Sequence, residues 1–167
     1  MTGLVRVNAL NGGGMEKASE GYALRPGVPT PTDYLHLRRE SGLTPRTLEQ
    51  ATLALSGSWA ACHVVDEVDG ATVGMGRLVG DGGWYFHVAD MAVLPAHQRR
   101  GIGDWILTWL LAQIRKGAPP DAFVSLMANP PGRRLYASHG FTERRDLSIG
   151  MAMWLGREEN GGTGQLA

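Results

Sequence analysis

The stretch Asp90-Met91-Ala92-Val93-Leu94-Pro95-Ala96-His97-Gln98-Arg99-Arg100-Gly101-Ile102-Gly103-Asp104 decides how this chain of 167 residues folds. Apolar and β-branched residues run up to Pro95 and a glycine-bearing turn follows. Then Ile102, Trp105, Ile106, Trp109, Leu110 and Ile114 recur every three or four residues. This is a strand running through a turn into a long amphipathic helix over Gly101 to Lys116. The first N–H groups of such a helix have no partner within it, and glycine at 101 and 103 removes side chains that would hold a ligand off. The amides from Arg99 to Asp104 therefore form an anion cradle. Arg99 and Arg100 beside it favour a phosphate or pyrophosphate over a carboxylate. No Gly-Lys-Ser/Thr follows, and Ile106 stands where a dinucleotide fingerprint needs its third glycine, so the Walker and Rossmann readings are weak.

On the N-terminal side, Tyr22 to Pro26 reads as a short strand closed by proline. Thr30 or Thr32 caps a helix through Tyr34, Leu35, Leu37 and Arg38 that ends at Gly42, and Thr44-Pro45 opens a second with Leu48, Ala51 and Leu55 on one face. Trp59 to Val68 and Ala71 to Val79 flank Asp69-Gly70, a hairpin dipeptide. Trp84 to Leu94 is expected as a central strand. After the long helix, Gly117 and Pro119-Pro120 precede a buried strand over Ala122 to Met127. A short helix with Leu135 and Tyr136 ends at Gly140, and Phe141 onward and Gly150 to Leu155 are expected as the last two strands. The layout is α+β around one sheet.

Composition narrows the function. The chain is 43% hydrophobic, with 16 Lys+Arg against 16 Asp+Glu, so it lacks the positive charge of a protein that grips nucleic acid through phosphates. The apolar run Trp105 to Ala112 is far short of the roughly 20 residues a membrane span needs. Cys62 is the single cysteine, so no internal disulfide can form, and a cytoplasmic location is expected. Cys62 lies in a strand away from the turn and reads as a packing thiol rather than a nucleophile. Five histidines invite a metal, yet none pairs at ligand spacing with a carboxylate between, and no metal is expected. Trp105 and Trp109 read as helix packing. Twenty-four glycines are about twice the usual share of roughly 7%. Several gather at the two ends, where residues 1–20 and 157–167 are expected to be disordered around a domain over 21–156. Met15 is a second candidate for the start.

The run Met91-Ala92-Val93-Leu94-Pro95 before Gln98-Arg99-Arg100-Gly101-Ile102-Gly103, with Leu135-Tyr136 and Gly140-Phe141 some thirty residues later, resembles the GCN5-related N-acetyltransferases. The resemblance spans roughly Tyr22 to Leu155. It implies a mostly antiparallel mixed sheet that splays between its fourth and fifth strands, flanked by helices. It implies acetyl-CoA as cofactor, with the pyrophosphate on the turn formed by Gln98, Arg99, Arg100, Gly101, Ile102, Gly103 and Asp104. Met91, Ala92 and Val93 would pair with the pantetheine arm as an added strand. Asn129 would touch the same arm, Arg133 would lie near the cofactor, and Tyr136 would face the sulfur.

The implied reaction is transfer of an acetyl group to an amine by direct attack, with no acyl-enzyme. An amine of reference pKa near 10 must lose a proton first, and the departing thiolate must gain one, for which Tyr136 is the expected acid. For the base, His87 stands in a run His87-Val88-Ala89-Asp90-Met91-Ala92-Val93 that resembles a strand of arylalkylamine N-acetyltransferases. Only one of the two histidines there is matched, Ala89 occupying the other position. Asp90 is a second candidate and Glu67 or Asp66 a third, while His87 as a merely packed histidine weighs equally. Tyr34, Trp84 and Tyr85 are candidates to flank a small amine with an apolar or aromatic body. A protein N-terminus or lysine is the alternative acceptor, a non-catalytic acyl-CoA sensor the alternative function, and a homodimer a possible assembly.

Overall fold

The computed structural model describes residues 20–143 and 151–153. Five strands form one sheet in the order β1 (Tyr22–Pro26), β2 (Ala60–Asp66), β3 (Thr72–Gly80), β4 (Tyr85–Val93) and β5 (Phe123–Leu126). The first three pairings are antiparallel and β4 with β5 is parallel. Between β1 and β2 lie α1 (Pro31–Glu40) and α2 (Leu48–Ser56); α3 (Ile102–Gly117) joins β4 to β5, and α4 (Arg133–Ser138) follows β5. The expected order from the first strand to the short last helix is therefore observed. The two strands expected after Phe141 fall largely outside the described residues, as do residue 156, the tail and all of the expected N-terminal extension but Glu20.

Local chemistry fixes the helix ends. The Thr30 hydroxyl accepts from the Asp33 amide at 3.1 Å and Pro31 opens α1. For α2 the cap is Thr47, not Thr44. Thr47 and Gln50 bond each other's backbone amides in a capping box, which moves the start three residues beyond the Thr-Pro signal. The described hairpin turns through Gly70 at φ +74°, with its amide on the Asp66 carbonyl at 2.8 Å.

The sheet has a helix layer on each face. On one, α3 buries Ile102, Ile106, Leu107, Leu110, Leu111 and Ile114 against Val64, Val73, Leu78, Phe86 and Val88. Six aliphatics at about 1.5–3 kcal/mol each mean that packing, not intrinsic propensity, holds this helix. Gly74 and Gly76 of β3 let it come close: a Cβ at Gly76 would stand 2.6 Å from Ile106 Cγ2. On the other face, Tyr34 and Leu37 of α1 and Ala51 and Leu55 of α2 pack on Met75 and Ala92. Trp105 and Trp109 pack against the α3-side core, as expected of them.

Candidate active site

The site begins with a defect in β4. Met75 pairs with Ala92 and Arg77 with Ala89, so two β4 residues, Asp90 and Met91, oppose the single Gly76. This is a β-bulge, and Asp90 takes the left-handed φ of +53° that carries it. Pairing of β4 with β5 runs from Tyr85↔Phe123 to Val88↔Leu126 and goes no further. Beyond Val88 the two strands part, as expected of the splay.

A cleft of about 440 Å³ passes through this opening. Val88 and Asp90 to Val93 line one wall, Met127 and Asn129 the other. Ile102, Gly103, Leu135 and Tyr136 border it on the α3 face, and Ser41 and Leu43 of the α1–α2 loop on the opposite face. One end is floored by Gln98, Arg99, Gly101, Gly103 and Asp104. There Arg99 (φ +62°) and Gly101 (φ +80°) bend the chain so that Gly101 caps α3. Trp105 is the first α3 amide bonded to a backbone carbonyl, that of Gly101 at 3.0 Å, which leaves the amides of Ile102, Gly103 and Asp104 for a guest. A side chain at Gly103 would meet Leu135 Cδ2 at 3.3 Å, so α4 packs close over the cradle. The Gln98 amide braces the turn by donating to the Val93 carbonyl at 3.0 Å, and His97 Nδ1 lies 2.8 Å from the Tyr22 hydroxyl. Asp104 and His139 (2.7 Å) tie α3 to the end of α4.

Three titratable groups surround the opening. The Tyr136 ring lines the cleft, edge-on to Phe141 at 6.1 Å between centroids, and its hydroxyl has no hydrogen-bond partner among the described residues. Burial raises its pKa, so the phenol stays protonated at neutral pH. His87 stands at the closed end, one residue before the strands part, on the α1/α2 face, with Nδ1 2.9 Å from Ser125 Oγ. Burial and the Arg77 guanidinium lower its pKa against the pull of Asp90, so the ring is neutral at pH 7. Asp90 is held by three donors: the Tyr34 hydroxyl at 2.7 Å, Arg77 Nε at 2.5 Å and Arg38. Burial alone would raise its pKa, but these bonds and both guanidinium charges outweigh it and hold the carboxyl below its ordinary value.

Residues 59–143 match the family model of the acetyltransferase (GNAT) domain. The chain belongs to the GNAT acetyltransferase family. A protein of unknown function from meticillin-resistant Staphylococcus aureus, described as a probable acetyltransferase, is 32% identical, with a TM-score of 0.75 over 80% of this chain and 98% of that one. A GNAT-family acetyltransferase from Streptococcus pneumoniae TIGR4 is 29% identical, with a TM-score of 0.65 over 82% of this chain and 99% of that one. Glucosamine-6-phosphate N-acetyltransferase from Arabidopsis thaliana shares the fold at 15% identity and a TM-score of 0.59, over 81% of this chain and 99% of that one. No curated protein sequence matches the chain at a significant level.

Within this GNAT fold, the cleft brings together Asp90, Met91, Ala92, Val93, Gln98, Arg99, Gly101, Ile102, Gly103, Asp104, Asn129 and Tyr136, all singled out in the sequence. His87, Arg100 and Arg133 do not line it; His87 lies one residue before Val88, which does, and Arg100 donates to the Ala96 carbonyl at 3.4 Å. Tyr34, expected to flank an acceptor, is 2% exposed and bonded to Asp90 instead. Trp84 and Tyr85 are exposed outside the cleft lining, with the Tyr85 hydroxyl 3.4 Å from Ser125 Oγ. Asp66 lies 3.8 Å from His97 rather than near His87. Sequence reasoning missed Arg38, Arg77 and Ser125. The available signal was an arginine four residues after Tyr34 on the apolar face of α1, and another inside the apolar run of β3.

Proposed function

We propose that the protein moves the acetyl group of acetyl-CoA directly to an amine, most naturally on a small molecule. The observation that supports it is a cleft crossing the sheet, with an amide cradle at one end and the Tyr136 hydroxyl, unbonded among the described residues, lining it with the open edge of β4. The amides of Ile102 to Asp104 and the Arg99 side chain suit a pyrophosphate. The parted edge of β4 over Met91 to Val93 suits a pantetheine arm taken up as an extra strand. Acetyl-CoA supplies the activated acyl group.

The protein's own groups then divide the work. An amide of the bulged segment can donate to the negative charge that develops on the thioester oxygen, without rearrangement because the bulge fixes its direction. Tyr136, kept protonated by burial, gives its proton to the leaving sulfur. The amine proton goes to His87, directly or through water. When the Ser125 hydroxyl donates to the Phe86 carbonyl at 3.3 Å, its oxygen accepts from Nδ1–H and the Nε2 lone pair is left to act as base. Asp90 is the weaker base, since its oxygens are already engaged by Tyr34, Arg38 and Arg77. The acceptor would approach from the α1/α2 face, past Tyr85 and Phe123, whose rings lie 5.6 Å apart.

Thiol release measured over a panel of amines tests this. Wild type should release free thiol with at least one, and Tyr136→Phe should lose about 10²- to 10⁴-fold in kcat at unchanged acetyl-CoA affinity. Tight acetyl-CoA binding without thiol release from any amine would favour the sensor.

A further inference from the structure

The charges around the β4 bulge do not cancel. Arg38 and Arg77 carry two positive charges against the single carboxylate of Asp90, in a cluster whose three side chains are 7%, 15% and 14% exposed. Tyr34, the fourth member, is a neutral donor whose pKa is raised, chiefly by burial. His87 is neutral, its pKa lowered in part by Arg77 itself. The cluster therefore holds one positive charge in excess among the described residues, met only by the Thr44 and Ala54 carbonyls to which the two guanidinium groups donate.

The two guanidinium groups are not used alike. Arg38 is enclosed: Nε and one terminal nitrogen donate to the Thr44 carbonyl, and the other reaches Asp90 and the Tyr34 hydroxyl. Arg77 spends Nε on Asp90 and Nη1 on the Ala54 carbonyl at 3.3 Å, and its Nη2 donates to nothing among the described residues. That nitrogen belongs to the β3 neighbour of β4, on the face that carries His87, since Arg77 and Val79 sit opposite Ala89 and His87. A part-buried guanidinium with unspent donors and no full counter-charge is costly to keep and is a receptor for an oxyanion.

We infer that the acceptor amine carries an anionic group, a carboxylate or a phosphate, and that Arg77 binds it through its free guanidinium edge. This rests on the transfer reading above and deepens it by naming the acceptor class. An anion on Arg77 would neutralise the cluster and hold the amine over the His87 end of the opening. An acceptor lacking it would bring its ammonium toward an uncompensated positive charge.

Two matched pairs test this, L-phenylalanine against phenethylamine for the carboxylate and phosphoethanolamine against ethanolamine for the phosphate. Thiol release is read for wild type, Arg77→Gln and Arg77→Lys, each first checked for folding by thermal melting. In wild type the anionic member of at least one pair should be favoured in kcat/KM by roughly tenfold or more, the scale of one charge-assisted bond. The ratio should fall toward one in Arg77→Gln and survive in part in Arg77→Lys, which keeps the charge without the fork. Neutral members favoured or equal in wild type would overturn the inference, whatever the variants do, while leaving acetyl transfer standing. A preference that persists in a folded Arg77→Gln would overturn it too. If no amine releases thiol, the transfer reading fails separately, and calorimetry of the same pairs on the coenzyme A-loaded protein decides. Tighter binding of an anionic member to wild type alone supports the assignment, and equal binding of both members refutes it.

Discussion

Replacing Gly76 by alanine should damage both stability and cofactor binding. The new Cβ would stand 2.6 Å from Ile106 Cγ2, 2.6 Å from Met91 Sδ and 3.0 Å from Leu110 Cδ1. Apolar atoms rest at about 3.5–4.0 Å, so two of these contacts overlap by roughly 1 Å. Met91 has an unbranched chain and can yield. Ile106 and Leu110 are fully buried in the α3 layer and cannot move without α3. Overpacking of this kind costs about 1–3 kcal/mol. Removing a strand glycine returns roughly 0.5–1 kcal/mol of chain entropy, leaving a net loss of about 1 kcal/mol at mid-range and at most about 2.5 kcal/mol. For a domain of this size a loss of about 1 kcal/mol lowers Tm by roughly 2–4 °C. Because Met91 belongs to the bulge and lines the cleft, acetyl-CoA affinity measured by calorimetry should fall as well. Gly74→Ala is the internal comparison: its nearest contacts, Ile102 Cγ2 at 3.0 Å and Ile106 Cδ1 at 3.2 Å, should cost less. A Gly76→Ala protein as stable as wild type with unchanged acetyl-CoA affinity, or a Gly74→Ala protein more damaged than it, would refute the packing argument.

Three shorter predictions follow from the charged groups. The acid limb of kcat/KM for the acceptor should lie below the ordinary histidine value of about 6.5, and His87→Gln should abolish that limb with a rate loss on the order of 10²-fold; a limb that stays put assigns the base elsewhere. Asp90 has a folded pKa below its unfolded value, so its contribution to stability is fully present above the ordinary carboxylate range and is lost as pH falls from there through the lower folded value. Denaturant titrations should find Asp90→Asn about 3–5 kcal/mol less stable near neutral pH, with the difference shrinking toward roughly pH 3, and a pH-independent difference would contradict the ion-pair account. Cys62 is buried and its thiol pKa is pushed up by that burial. At pH 8 a thiol reagent should label it only as fast as the protein opens, and rapid labelling of the native protein would place the sulfur at the surface.

The sequence alone determined the strand, turn and helix around Gly101 and Gly103, because those elements are written in local periodicity and in residues whose backbone freedom is local. It also pointed to Tyr136, through a motif that belongs to one short segment. Tertiary structure decided what depends on partners far apart in the chain. Tyr34 reads as a helix aromatic placed to flank the acceptor, yet it meets Asp90 across 56 residues and becomes part of the core. The bulge at Asp90 exists only as a register shift against Gly76, which no run of β4 residues can show by itself. The excess charge of Arg38 and Arg77 is likewise invisible in a chain whose formal total is zero. Charge in water is nearly independent of position, whereas charge brought under α1 and α2 must be answered by whatever lies within a few ångströms.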